Sequence, residues 1–97
     1  MDTNTTNTEE FYKRLQEQLE KDTTWPAFYL YKFIVPTSDR SVAQIEEAFD
    51  GMDATIQTRD SSSKKFTSVS IKVMMQSPQA VVDKYIEMSA IEGIISL

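Results

Sequence analysis

The stretch Lys65–Met75, KFTSVSIKVMM, constrains this chain more than any other. Thr67, Val69, Ile71, Val73 and Met75 fall on one side of an extended strand. Phe66, Ser68, Ser70, Lys72 and Met74 fall on the other. The first set is apolar apart from one threonine and the second is largely polar, the period-2 signature of a strand with one buried and one open face. Helices are therefore expected on the Val69/Ile71/Val73 side.

A second strand is expected at Phe28–Val35, FYLYKFIV. Both of its sides are apolar except at Lys32, which predicts a central strand covered on both faces for much of its length. Ala54–Arg59 alternates more weakly and suits a sheet edge. The loop Asp60-Ser61-Ser62-Ser63-Lys64 has no glycine, which predicts a hairpin connection longer than two residues. Ile94–Leu97 is a short closing strand.

Helices fill the intervals. Ser38 or Asp39 can cap a helix whose buried face carries Val42, Ile45 and Phe49, with Gly51 as its C′ residue. Ser77-Pro78 reads as an N-cap followed by proline at the first helical position. The helix it opens is traced by Val81, Val82, Tyr85, Ile86 and Ser89. At the other end of the chain, residues 1–7 are polar and expected to be disordered. Thr6-Asn7-Thr8-Glu9 has capping-box spacing ahead of a helix over 8–21, with a narrow apolar stripe at Phe11, Leu15 and Leu19. That helix is expected to lie over an exposed face or edge of the sheet, with Trp25 packed beneath it.

Helix, then β-α-β-β-α-β, in 97 residues gives one α+β domain over 8–97. The arrangement is the ferredoxin-like split β-α-β: a four-stranded antiparallel sheet with two helices on one face, the first and third strands in the middle, plus an extra N-terminal helix.

Composition narrows the chemistry. The chain has no His and no Cys, which removes an imidazole base, a thiolate nucleophile and the usual zinc ligands, and no Gly-rich phosphate loop or nucleophile elbow is present. No catalytic residue, metal site or cofactor is expected. A net charge of −5 disfavours nucleic acid and anionic membrane unless a local basic patch exists. No apolar run approaches the ~20 residues of a membrane span, so a cytoplasmic protein is expected.

One local basic patch is expected. If the registers above hold, the sheet face away from the helices gathers Lys32, Arg59, Phe66, Ser68, Ser70 and Lys72, with Gln57 beside them and Lys64 and Lys65 at the loop. Such a surface suits a small anionic metabolite or an acidic segment of another protein. An RNA reading, by analogy with open sheet faces that stack bases, is the alternative; only Phe66 supplies an aromatic on the third strand. The structural reading is a hydrated face whose long side chains cover apolar neighbours. The edge strands can also pair between subunits, giving a homodimer.

Trp25-Pro26, Tyr31-Lys32, Ser62-Ser63-Lys64, Ser68-Val69-Ser70-Ile71 and Glu92-Gly93-Ile94-Ile95 together resemble the YbeD-like family of small bacterial proteins of unknown function. The resemblance covers most of the chain from about Phe11. It implies a ferredoxin-like fold similar to ACT domains, which bind small effectors such as amino acids and regulate metabolic enzymes. It therefore implies a non-catalytic regulatory or interaction module. In ACT domains the effector commonly lies near the loop between the first strand and first helix. Here that loop is Pro36-Thr37-Ser38-Asp39, without glycine, so Ser38, Asp39 and Arg40 become a candidate helix-terminus site for a carboxylate.

Overall fold

The computed structural model describes residues 3–97, with side chains from Thr8 onward; the expectation for Met1 and Asp2 lies outside them. Three helices and four strands follow the order α1 (Thr3–Asp22), β1 (Ala27–Pro36), α2 (Asp39–Ala48), β2 (Thr55–Asp60), β3 (Phe66–Met75), α3 (Pro78–Met88) and β4 (Ile95–Ser96). The strands form one antiparallel sheet in the order β2-β3-β1-β4. The chain is thus α+β, with the two long strands β1 and β3 central and paired over their full ten residues.

Alternation decides which side is buried. Tyr31, Phe33 and Val35 of β1 and Val69, Ile71, Val73 and Met75 of β3 form the sheet's half of the core. Ile45 and Phe49 from α2, Val81 and Met88 from α3, and Ile91 beyond it supply the other half. Both α2 and α3 start as the residues predict. Ser38 Oγ accepts from Ser41 N at 3.2 Å, and Ser77 Oγ accepts from Ala80 N at 3.1 Å, each satisfying a helix N–H that has no intrahelical partner.

Three tyrosines place their hydroxyls inside this core. Tyr31 donates to the Val81 carbonyl at 3.0 Å, and the hydroxyls of Tyr29 and Tyr85 lie 2.8 Å apart. Burial, reinforced by the neighbouring Tyr29, pushes the Tyr31 hydroxyl well above the ordinary tyrosine value; burial and then the hydrogen bond to Tyr29 do the same to Tyr85. The native state therefore keeps protons that the unfolded chain releases above about pH 10, so stability is intact below that pH and falls as pH rises past it. Tyr31 alone should remove on the order of 1 kcal/mol by pH 11. Urea titrations at pH 8 and pH 11 will read this directly, and Tyr31→Phe should flatten the slope.

Several boundaries differ from expectation. α1 begins at Thr3, so Thr6-Asn7-Thr8-Glu9 lies within the helix rather than capping it. The C-cap of α2 is Phe49, which leaves Gly51 one residue beyond the expected C′ position, although it does take a positive φ of 76°. Ile86, which the sequence pattern places on the buried side of α3, is exposed, the buried positions there being Pro78, Val81, Val82 and Met88. The hairpin loop is longer than two residues, closed by Ser61 N to Phe66 O at 2.8 Å and Lys64 N to Ser61 O at 2.9 Å. Lys64 takes the left-handed conformation, with φ of 60°.

Gly93, with φ of 75°, turns the chain from α3 into β4 against Pro36. A Cβ there would stand 2.9 Å from Pro36 Cγ and 3.0 Å from Cδ, whereas one on Gly51 would meet nothing within 4 Å. Gly51→Ala should accordingly cost about 1 kcal/mol for its backbone alone. Gly93→Ala should cost more, with loss of amide protection at Ile95 and Ser96; thermal unfolding and hydrogen exchange will separate the two.

The largest departure concerns coverage of β1. Phe28 and Leu30 are 63% and 53% exposed, so the strand is covered on one face only. The cause is the position of α1, which packs against α3 on the helical side instead of lying over the sheet. Leu19 and Trp25 reach the core from there, and Trp25 Nε1 donates to the Leu19 carbonyl at 3.1 Å, which places the tryptophan beneath the end of α1 as expected. Phe11, near the middle of α1, remains exposed.

Candidate functional site: the open sheet face

Because opposed residues in an antiparallel pair point to the same side, the register defines the open face row by row. From one end, Phe28 lies opposite Met74, Leu30 opposite Lys72 and then Thr55, and Lys32 opposite Ser70 and then Gln57. Ile34 follows, flanked by Ser68 and Arg59 on one side and by Ile95 on the other, and Pro36 opposite Phe66 closes the face. Leu97 N donates to Lys32 O at 2.9 Å and extends the β4 edge beside that lysine.

Two stripes result. The β1 and β4 columns are apolar, carrying Phe28, Leu30, Ile34, Ile95 and Leu97 and interrupted by Lys32. The β3 and β2 columns are polar and basic, with Lys72, Ser70, Ser68, Gln57 and Arg59 between Met74 and Phe66 at the two ends. Among the described residues, eight large apolar side chains are exposed, and six of them, Phe28, Leu30, Phe66, Met74, Ile95 and Leu97, belong to this one face. Scattered apolar exposure is ordinary for a soluble domain; concentration on one face is what marks an interaction surface.

Charge is segregated in the same way. Among the described residues, no Asp or Glu occupies a strand position that points to this face. Asp60, the one strand carboxylate, turns to the opposite side and accepts from Thr67 Oγ1 at 3.0 Å. Lys32, Arg59 and Lys72 make no ion pair among the described residues. Lys72 Nζ stands 5.1 Å from the centre of the Phe28 ring, a cation–π contact that holds its charge over the apolar stripe. Between Ile34, Arg59, Phe66 and Ser68 the face dips into a shallow hollow of about 320 Å³, which Asp60, Ser61 and Ser62 line at the hairpin end.

The sequence-derived set Lys32, Arg59, Phe66, Ser68, Ser70 and Lys72 is therefore brought together on one surface. The same face carries an apolar half that is not in this set: Phe28, Leu30, Ile34, Ile95 and Leu97. The signal was present in FYLYKFIV, which is apolar on both sides. That pattern predicts coverage on both faces, but α2 and α3 lie on one face and α1, the element left to cover the other, packs against α3.

The second candidate lies at the start of α2. Asp39 shares its cleft with Glu46 and Asp60, and Arg40 shares the neighbouring one with Glu92, so carboxylates flank the helix terminus on both sides. The Ser38 hydroxyl and the Ser41 N–H already satisfy each other. Among the described residues no three His, Cys, Asp or Glu side chains are grouped so as to hold a metal ion, and no helix is long and apolar enough to cross a membrane.

No curated protein and no solved structure matches the chain. A family model described as protein of unknown function (DUF493) matches residues 20–97, the span from the end of α1 to the end of β4, which contains every strand and every residue of the open face. The chain belongs to the DUF493 family.

Proposed function

We propose that this chain is a small non-catalytic interaction module that works through its open sheet face. The supporting observation is the gathering of six exposed large apolar side chains and three cations, without an ion pair among the described residues, on one surface whose strand positions carry no Asp or Glu. The strand order β2-β3-β1-β4, with α2 and α3 on the core side, favours reading the domain as ferredoxin-like and fits the YbeD-like resemblance. The ACT-like version of that resemblance, an amino acid held at Ser38, Asp39 and Arg40, has less support, since Asp39, Glu46, Asp60 and Glu92 surround that helix start.

RNA is the weaker use of the same face. Its two exposed rings, Phe28 and Phe66, sit in rows eight positions apart, about 26 Å at strand spacing, too far to stack neighbouring bases.

A photo-crosslinking amino acid placed at Leu30, compared with one at the exposed helical position Ile86, tests the reading in cells. Discrete protein adducts from position 30 and none from position 86 are expected. Equal yields from the two positions would contradict it.

A further inference from the structure

We infer that the occupant of the open face is an amphipathic α-helix of a partner protein, apolar on one side with Asp or Glu along one flank. This rests on the sheet-face reading above and adds the chemistry of the partner.

The two stripes specify that chemistry. Phe28, Leu30 and Ile34 project from one strand, with Ile95 and Leu97 beside them, and span six residue positions or about 20 Å. A helix laid along that stripe needs about 13 residues to cover it. Lys72 and Arg59 stand on the same flank, in the Leu30 and Ile34 rows respectively, four positions or about 13 Å apart. Carboxylates two to two and a half turns apart along one edge of the helix would meet both. Lys32, midway along the apolar stripe, would take a third between them.

A helix fits better than an added strand. The apolar and basic side chains point off the face rather than out of its edge, and a helix on a sheet face is how this domain already packs its other side. The same cations argue against a second copy docked face to face. A two-fold contact with its axis across the strands would set the basic columns of one copy against those of the other, with no Asp or Glu at the facing strand positions to answer them.

The test uses the full chain, isotope-labelled, and two 14-residue peptides with the same leucine stripe. One carries Glu along one flank and the other carries Lys at those positions. The Glu peptide should perturb the amides of Leu30, Lys32, Ile34, Ser70 and Lys72, bind at least ten-fold more tightly than the Lys peptide at low salt, and lose that advantage as salt is raised. The triple variant Lys32→Glu, Arg59→Glu, Lys72→Glu, all at exposed sites, should keep its melting temperature within a few degrees and reverse the preference.

Equal binding of both peptides on the face would overturn the acidic-helix inference while leaving the sheet-face reading intact. Perturbations confined to α2 and α3 would overturn both. So would an absence of binding by either peptide, if the position-30 crosslinks were also absent; with those crosslinks present, it would overturn the inference alone. A uridine octamer binding the face more tightly than the Glu peptide, or concentration-dependent shifts in the same amides without any peptide, would assign the face to RNA or to a second copy and overturn the inference.

Discussion

Phe33→Ala should destabilise the domain by about 3–5 kcal/mol, a large share of the roughly 5–15 kcal/mol available to a chain of this size. Phe33 sits in the middle of the longest strand pairing, is fully buried, stacks on Tyr31 at 5.7 Å between ring centres and meets Tyr85 edge-on at 6.1 Å. Removing the ring leaves a cavity that the rest of the core cannot close, because the side chains of β1 and β3 are held by full-length pairing. A shift of the urea midpoint with little change in slope, or failure to fold at 37 °C, is the expected readout. The contrast lies three residues away. Leu30 is as apolar as Phe33 but projects from the opposite face, and its replacement should cost about 1 kcal/mol or less.

Leu30→Asp should instead abolish docking. It removes an apolar side chain at the centre of the exposed stripe and sets a carboxylate beside Lys72, where the partner's own acidic flank is expected. Lost burial at a central anchor together with like-charge repulsion is worth about 2 kcal/mol or more, a fall of about 30-fold or greater in affinity. Titration calorimetry of the Glu-flanked helical peptide against the native chain and the variant will measure it, with thermal unfolding of both as the control. A variant that binds as well as the native chain would remove Leu30 from the site.

The sheet's half of the core was legible because its residues alternate with a period of two. Val69, Ile71 and Val73 alternate with Ser68, Ser70 and Lys72, and that pattern is sufficient to fix which side of β3 is buried and, through the antiparallel register, which side of β1 faces it. Ser38 and Ser77-Pro78 were legible for a local reason: capping chemistry depends on three or four residues and on nothing distant. The basic half of the site followed from the same alternation, since Lys32, Lys72 and Arg59 could be placed by counting.

The apolar half could not be counted in the same way. Phe28, Leu30 and Ile34 look like core residues in sequence, and whether they are depends on where α1 comes to rest. That choice is tertiary. The stripe of Leu15 and Leu19 fits either the sheet or α3, and the contact of Trp25 with the end of α1 draws the helix to the α3 side. No local signal in α1 distinguishes the two dockings. The positive φ at Lys64 was illegible for a related reason: the loop closes through Ser61 and Phe66, and lysine there carries no sign of the conformation it must adopt.

The openness of the sheet face underlies every functional statement made for this domain, and methionine oxidation tests it most directly. Met74 projects onto that face and is 39% exposed, whereas Met75, its neighbour in sequence, and Met88 of α3 are buried at 3% and 2%. Brief treatment of the folded protein with hydrogen peroxide, followed by peptide mass spectrometry, should convert Met74 to its sulfoxide many times faster than Met75 or Met88. Met74 protected to the same degree as Met75 would mean that α1 or another element covers the sheet in solution, and the face could not be the surface through which this protein works.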